Sequence, residues 1–97
     1  MKSVFIAYDQ ALHDLVTAAL NSSLCRGFTL FPRVAGRGSV TGDPHLASHA
    51  WPSANNAILC MCDDERVDPL LERLHKIDLD NPLLGLRAFV WTVERTI

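Results

Sequence analysis

The chain has 97 residues, a length typical of one domain, and 48% of them are apolar, which supplies a globular core and excludes a disordered chain. Its net charge of −2 excludes the strongly basic surface that nucleic-acid binding needs, so we expect no nucleic-acid partner. We find neither an apolar run long enough for a membrane span nor a cleavable signal, and three cysteines make no disulfide framework, so we expect a cytoplasmic protein.

Four short segments rich in β-branched and aromatic residues predict strands. They are residues 3–8, 28–34, 57–62 and 86–93. The first and third are apolar on both faces, which is typical of strands buried on both sides. Pro32 cannot donate a hydrogen bond to a neighbouring strand, so the second strand is predicted to lie at an edge of the sheet or to be bulged there.

Two stretches with apolar residues at helical spacing predict helices. The first follows Asp9, a predicted N-cap, and its apolar residues are Leu12, Leu15, Val16, Ala19 and Leu20. The second begins in the acidic run 63–65, and its apolar residues are Val67, Leu70, Leu71, Leu74 and Ile77. We expect His13 and His75, which fall on these helices, to lie at the surface.

The order of these elements is β-α-β-loop-β-α-β, which is the ferredoxin-like plan. We therefore predict a single α+β domain over residues 1–97, a ferredoxin-like βαββαβ fold with a four-stranded antiparallel sheet and two helices on one face. Nothing in the chain covers the other face of that sheet, to which Phe89 and Trp91 would contribute. A large exposed apolar face predicts an oligomer in which sheet faces pack together.

A segment without apolar periodicity, residues 36–56, predicts one loop of roughly twenty residues, which is far longer than an ordinary connection. Loops of that length usually carry function. The start of the loop is glycine-rich and basic, and consists of Gly36, Arg37, Gly38 and Ser39. Backbone N–H groups in such a turn, with the charge of Arg37, could bind an anion. The alternative is a flexible exit from the second strand.

Two histidines farther along the same loop, His45 and His49, have a spacing that places both rings on one side of a helical turn. Metal sites often use that arrangement, and Asp43 could add an oxygen ligand. The pair therefore predicts a site for a divalent transition metal, and the alternative is two histidines that face solvent or bond loop carbonyls. Trp51 and Pro52 are predicted to anchor the return of the loop.

The positions of the three cysteines in the sequence do not indicate a catalytic site. Cys60 and Cys62 alternate on the third strand and therefore face the same side, where apolar neighbours indicate buried thiols. Cys25 could be exposed near a helix end, and the sequence gives it no partner. Since no Ser/His/Asp or Cys/His arrangement can be argued from spacing, we expect that the protein is not an enzyme.

Taken with this plan, three strings of the sequence resemble the PII-like signalling proteins, and especially a small bacterial branch of them. The strings are RGFTLFPRVAGRGS, HLASHAWPSANNAILCMCDDERVDPLLERL and GLRAFVWTVE, which together span most of the chain. The resemblance implies a ferredoxin-like subunit and a homotrimer whose sheets line a central core. It also implies that the loop at about 36–56 is a T-loop, the segment with which these proteins meet their targets.

Ligands of the family sit in clefts between subunits beneath the T-loop, and the resemblance gives this role to Arg37, Gly38 and Ser39 at the base of the loop. It implies a non-enzymatic regulator that binds a small ligand, such as a nucleotide or bicarbonate, and signals to a partner such as a membrane transporter. Residues 78–85, however, are acidic where classical members carry a Lys/Gly-rich phosphate loop. Trimeric metal-tolerance proteins share the architecture, so a metal-binding protein acting through His45 and His49 is the alternative.

Overall fold

The computed structural model describes residues 1–25, 27–35 and 54–97. Its strands are β1 (Lys2–Asp9), β2 (Phe28–Val34), β3 (Asn55–Cys62) and β4 (Leu86–Thr92). Its helices are α1 (His13–Ser22) and α2 (Asp64–Asp80), with a short 3-10 helix, Gln10–Leu12, before α1. This confirms the predicted order of elements. The residues proposed for ligand or metal binding lie outside the described residues, namely Arg37, Gly38, Ser39, Asp43, His45 and His49, as do Trp51 and Pro52.

One antiparallel sheet in the order β2-β3-β1-β4 forms the framework. Val4 of β1 lies opposite Cys60 of β3 and Val90 of β4, and Ile6 lies opposite Ile58 of β3 in the same register. The two central strands are β1 and β3, as predicted from their apolar sequences. The arrangement confirms the ferredoxin-like α+β fold. None of the helices in the described ranges is long and apolar enough to cross a membrane.

The hydrophobic core lies between the sheet and the two helices. Alternate residues of β1 face it and are fully buried, namely Val4, Ile6 and Tyr8. The predicted helix stripes supply the other layer, in which the most deeply buried residues are Leu12, Val16, Leu20, Leu70 and Leu74. Leu15 was predicted to belong to the α1 stripe and is half-exposed, because it lies at the flank of that stripe and lines a groove between α1 and α2.

The ends of the strands confirm two local predictions and correct a third. Oδ1 of Asp9 accepts a hydrogen bond from the backbone N–H of Ala11 at 2.8 Å, so Asp9 caps the first helical turn. Strand β2 lies at the edge of the sheet, and its register with β3 shifts between Phe31 and Val34, on either side of Pro32. The loop predicted over 36–56 ends earlier, because Asn55 and the residue after it already pair with β1.

The other face of the sheet carries a continuous apolar surface, which we call the open sheet face. The strand register places six large apolar residues on this face, namely Phe5, Phe31, Leu59, Met61, Phe89 and Trp91. Phe89 is 57% exposed and Trp91 is 50% exposed. The described part of the chain therefore has the exposed apolar face that the sequence predicted.

Cys25 is buried, contrary to the expectation that it could be exposed. Helix α1 ends in a Schellman motif, in which Cys25 N–H donates to the carbonyl of Leu20 at 2.8 Å and Leu24 adopts a positive φ of 61°. The turn directs the Cys25 side chain into the core, where its Sγ lies 2.8 Å from Sγ of Cys62. The predicted burial of Cys60 and Cys62 is confirmed.

Candidate functional site

Several polar residues gather at one end of the sheet, where the described part of the chain borders residues 36–53. We call this region the loop corner and define it by Tyr8, Asp9, His13, Asn55 and Asn56. Backbone hydrogen bonds of 2.8 Å fix its outline: Gln10 N–H donates to the Ala54 carbonyl, and Asp9 N–H donates to the Gly85 carbonyl. Val34 pairs with Asn55, so the described residues on either side of 36–53 lie at this corner.

A hydrogen-bonded trio links β1, α1 and β3 at the loop corner. Oη of Tyr8 lies 2.6 Å from Nδ1 of His13, and Nδ2 of Asn56 lies 3.4 Å from the same nitrogen. Arg33 of β2 donates its backbone N–H to Oδ1 of Asn56 at 3.1 Å. The Tyr8 and His13 rings stack with their centroids 6.0 Å apart. The trio therefore couples three elements to the last residues of β2, directly before the 36–53 segment.

These bonds determine the tautomer of neutral His13. The backbone donor of Arg33 identifies Oδ1 of Asn56 as the acceptor, so Nδ2 of Asn56 must be a donor. Nδ1 of His13 then accepts hydrogen bonds from Asn56 and from the Tyr8 hydroxyl. The proton of a neutral ring is consequently on Nε2, which can donate to a carboxylate, phosphate or carbonyl oxygen. His13 was predicted to lie at the surface, but it is half-buried and in contact with Tyr8 and Asn56.

Burial sets the charge of the hydroxyl in the trio. It raises the pKa of Tyr8 above its usual value of 10.0, and a hydrogen bond with Asn56 lowers it to a smaller extent. The phenol of Tyr8 is thus protonated at neutral pH and acts as a donor toward His13. Tyr8 and Asn56 lie opposite each other on the helix-facing side of two otherwise apolar strands. Two polar residues at such positions were the sequence signal from which this site could have been found.

A second polar group at the corner has an unused acceptor. Asn55 is 4% exposed, and its Oδ1 has no hydrogen-bond partner in the described parts of the chain. A buried amide oxygen without a donor costs about 1–3 kcal/mol, so such groups usually receive a hydrogen bond from elsewhere. Asn55 follows residues 36–53 almost directly in sequence. It marks the corner as a place where an additional donor is favoured.

The beginning of β4 borders the corner and carries an arginine. Arg87 donates to its neighbour's backbone carbonyl, Leu86 O, at 2.6 Å, and its Nη1 lies 3.4 Å from Oδ2 of Asp78 on α2. Arg87 and Asp78 line a groove between α2 and β4. His75 of α2 lines the same groove and is exposed, as predicted. Within the described ranges, no group of three or more His, Cys, Asp or Glu side chains could hold a metal ion.

The residues that the sequence singled out for ligand binding, Arg37, Gly38 and Ser39, belong to the segment rooted at this corner. So do His45 and His49, the predicted metal ligands. Because residues 36–53 lie outside the described ranges, the roles of all five stay predictions. The described residues add what sequence reasoning missed, namely the trio of Tyr8, His13 and Asn56 and the unpaired Oδ1 of Asn55.

The chain has the fold of the PII-like proteins. It is similar to a structure of CPII, a nitrogen regulatory PII-like protein from Thiomonas intermedia K12, bound to ADP, AMP and bicarbonate. That match has a TM-score of 0.73 and 21% identity, and covers 97% of this chain and 88% of that chain. The apo form of CPII matches with a TM-score of 0.67 and 20% identity, over 98% of this chain and 92% of that one.

A candidate PII-like signalling protein from Thermus thermophilus has a TM-score of 0.67 and 21% identity, over 95% of this chain and 85% of that chain. No protein-family model and no curated protein matches the sequence. At these identities the likeness concerns the fold, and it extends over nearly the whole chain.

Proposed function

We propose that the protein is a non-enzymatic PII-like regulator that binds a small anionic ligand at the loop corner. The observation that carries this proposal is the trio of Tyr8, His13 and Asn56, which ties the root of the 36–53 segment to the two central strands. A ligand that bonds to the trio changes the contacts of β2 directly before that segment. The predicted T-loop then passes the ligand state to a partner protein, such as a membrane transporter, in the cytoplasm.

The described part of the corner offers one donor that suits an anionic oxygen and one acceptor that suits a hydroxyl or amino group of the same ligand. The Nε2–H of His13 is a donor, and Asn55 Oδ1 accepts a donor from a hydroxyl or amino group. Arg37, which the resemblance places at the base of the T-loop, would add a positive charge. CPII, which shares the fold, was captured with ADP, AMP, bicarbonate and acetate. Adenine nucleotides and bicarbonate are therefore the first ligands to test.

We also propose that the active form is a homotrimer in which copies of this chain cover each other's open sheet face. Phe89, Trp91 and Met61 are among the most exposed large apolar side chains of the described residues, and all three lie on that face. Packing three such faces together removes apolar surface from water. The ligand clefts of a PII-like trimer would then lie between neighbouring subunits beneath the T-loop.

Isothermal titration calorimetry with ADP, AMP and bicarbonate tests the ligand proposal. We expect at least one of them to bind the wild-type protein, and we expect His13→Ala to weaken that binding at least tenfold. His75→Ala is the matched control, because His75 is an exposed histidine on the other helix and should leave the affinity unchanged. Circular dichroism verifies that each variant is folded.

Failure of all three ligands to bind or to raise the melting temperature would reject the proposed ligand class. Equal affinity of the wild type and His13→Ala would reject the role of the trio.

A further inference from the structure

The three cysteines meet at the end of the core opposite the loop corner. Sγ of Cys25 lies 2.8 Å from Sγ of Cys62, and Sγ of Cys60 lies 3.8 Å from Sγ of Cys62. All three are free thiols. The shorter separation exceeds the S–S bond length of about 2.05 Å by less than 1 Å. Cys25 and Cys62 therefore need little movement to become covalently linked.

The two sulfurs come from different elements whose backbones are well fixed. Cys25 is held by its N–H bond to Leu20 in the Schellman motif at the end of α1. Cys62 is the last residue of β3 and pairs with Lys2 of β1. A Cys25–Cys62 bond would join the connection between α1 and β2 to the end of a central strand.

We propose that Cys25 and Cys62 are a redox-sensitive pair that hydrogen peroxide converts to a disulfide. The thiolate of Cys62 attacks one peroxide oxygen, the O–O bond breaks, and Cys62 becomes a sulfenic acid while hydroxide leaves and takes up a proton to form water. The sulfur of Cys25 then attacks the Cys62 sulfur, and the sulfenic oxygen leaves as a second water. Two thiols lose two electrons and two protons, and one peroxide takes them up and is reduced to two waters.

The surroundings of the two sulfurs indicate which of them is oxidised first. Burial, with the Cys62 hydrogen bond as the next cause, raises the pKa of Cys25 to about 12. Burial also raises the pKa of Cys62, but its hydrogen bond with Cys25 acts in the opposite direction. Cys62 is thus the thiol that peroxide oxidises first, and Cys25 resolves the sulfenic acid. Thiols with raised pKa values react slowly, so the pair responds to prolonged or strong oxidation rather than to traces of peroxide.

The competing pair, Cys60 and Cys62, has less suitable geometry. The two residues are separated by one residue on an extended strand, which places their Cα atoms about 6.6 Å apart. That value is near the upper end of the range of about 4.4–6.8 Å found for disulfides. Cys60 is also buried, and burial raises the pKa of its thiol. The structure therefore favours Cys25–Cys62 and leaves Cys60 reduced.

The bond would enclose residues 25–62, a loop that contains β2, the 36–53 segment and β3. Closing a loop of this length restricts the unfolded chain and raises the denaturation midpoint, unless strain opposes it. The oxidised protein should therefore unfold at a higher urea concentration than the reduced protein.

Peroxide treatment of the purified full chain, followed by thiol titration after unfolding and by mass spectrometry, tests the proposal. We expect free thiols to fall from three to one per chain, with a mass loss of two hydrogen atoms that dithiothreitol reverses. Proteolytic mapping of the oxidised wild type should find one peptide pair, joined through Cys25 and Cys62. Cys60→Ser should form the same disulfide and retain no free thiol, whereas Cys25→Ser should form no disulfide.

Three results would overturn the proposal: three thiols that survive prolonged peroxide, a mapped Cys60–Cys62 bond, or a link between two chains on a non-reducing gel. Mapping is carried out on the wild type, so this result does not depend on the folding of any variant.

Discussion

Replacement of Trp91 by glutamate should convert the proposed trimer into a monomer. Trp91 is 50% exposed on the open sheet face, beside Ser3 of β1. A tryptophan has up to about 250 Å² of side-chain surface, so its exposed half can contribute ~125 Å² to an interface. At about 25 cal/mol per Å², that burial supplies ~3 kcal/mol per chain and ~9 kcal/mol per trimer, which corresponds to more than six powers of ten in the assembly constant.

Light scattering coupled to gel filtration at micromolar concentration measures the effect. The wild type should elute with three times the one-chain mass of 10.7 kDa, and Trp91→Glu should elute near 10.7 kDa. Leu83→Glu is the matched control, because Leu83 is 94% exposed in the turn between α2 and β4, outside the open sheet face, and should leave the trimer intact. A wild-type monomer, a trimeric Trp91→Glu variant, or equal dissociation by Leu83→Glu would refute the reasoning.

Three further predictions concern single side chains. Tyr8→Phe should lower the free energy of unfolding by about 1–2 kcal/mol in urea titrations, because His13 Nδ1 loses its 2.6 Å donor; no change would contradict the trio's contribution. The pKa of Cys25 is about 12 in the folded protein, above its ordinary value of 9.0. The stability that the protonated thiol contributes is therefore fully present below pH 9 and is lost as the pH rises toward 12. The loss amounts to at most ~1.4 kcal/mol per pH unit. In urea titrations from pH 8 to pH 10.5, the free energy of unfolding should thus fall less for Cys25→Ala than for the wild type. An equal fall in both proteins would contradict this role of Cys25. His49→Ala should weaken zinc, copper or nickel binding at least tenfold by calorimetry if the metal-binding alternative holds, and unchanged affinity would reject that alternative.

The fold was predictable because its determinants are local patterns. The apolar stripes of the helices define which helix surfaces face the core, and strands without a polar face had to be central. Pro32 identified the edge strand, since it lacks the N–H that a paired strand needs. The exposure of Phe89 and Trp91 was also predictable, because two helices can cover one face of the sheet and these residues lie on the other.

The site was less predictable because it depends on contacts between distant residues. His13 was placed at the surface because its helix position said nothing about Tyr8 or about Asn56, which is 43 positions away along the chain. The burial of Cys25 was missed because Leu24, just after the end of α1, holds the positive φ at which a glycine would have indicated the Schellman motif. Arg37, His45 and His49 lie outside the described residues, and the sequence around them has no apolar periodicity from which an element could be predicted.

The irregular edge strand β2 restricts one way in which copies of the chain could associate. Regular edge strands present a row of free N–H and C=O groups onto which another strand can add without limit, as in fibres. Strand β2 interrupts that row with Pro32, with the register shift around it and with the positive φ of 51° at Arg33. Of the two edges of the sheet, the one formed by β2 therefore disfavours strand addition, and the open sheet face is the apolar surface that remains for contact. Association through faces can close into a finite particle and remain soluble at high concentration.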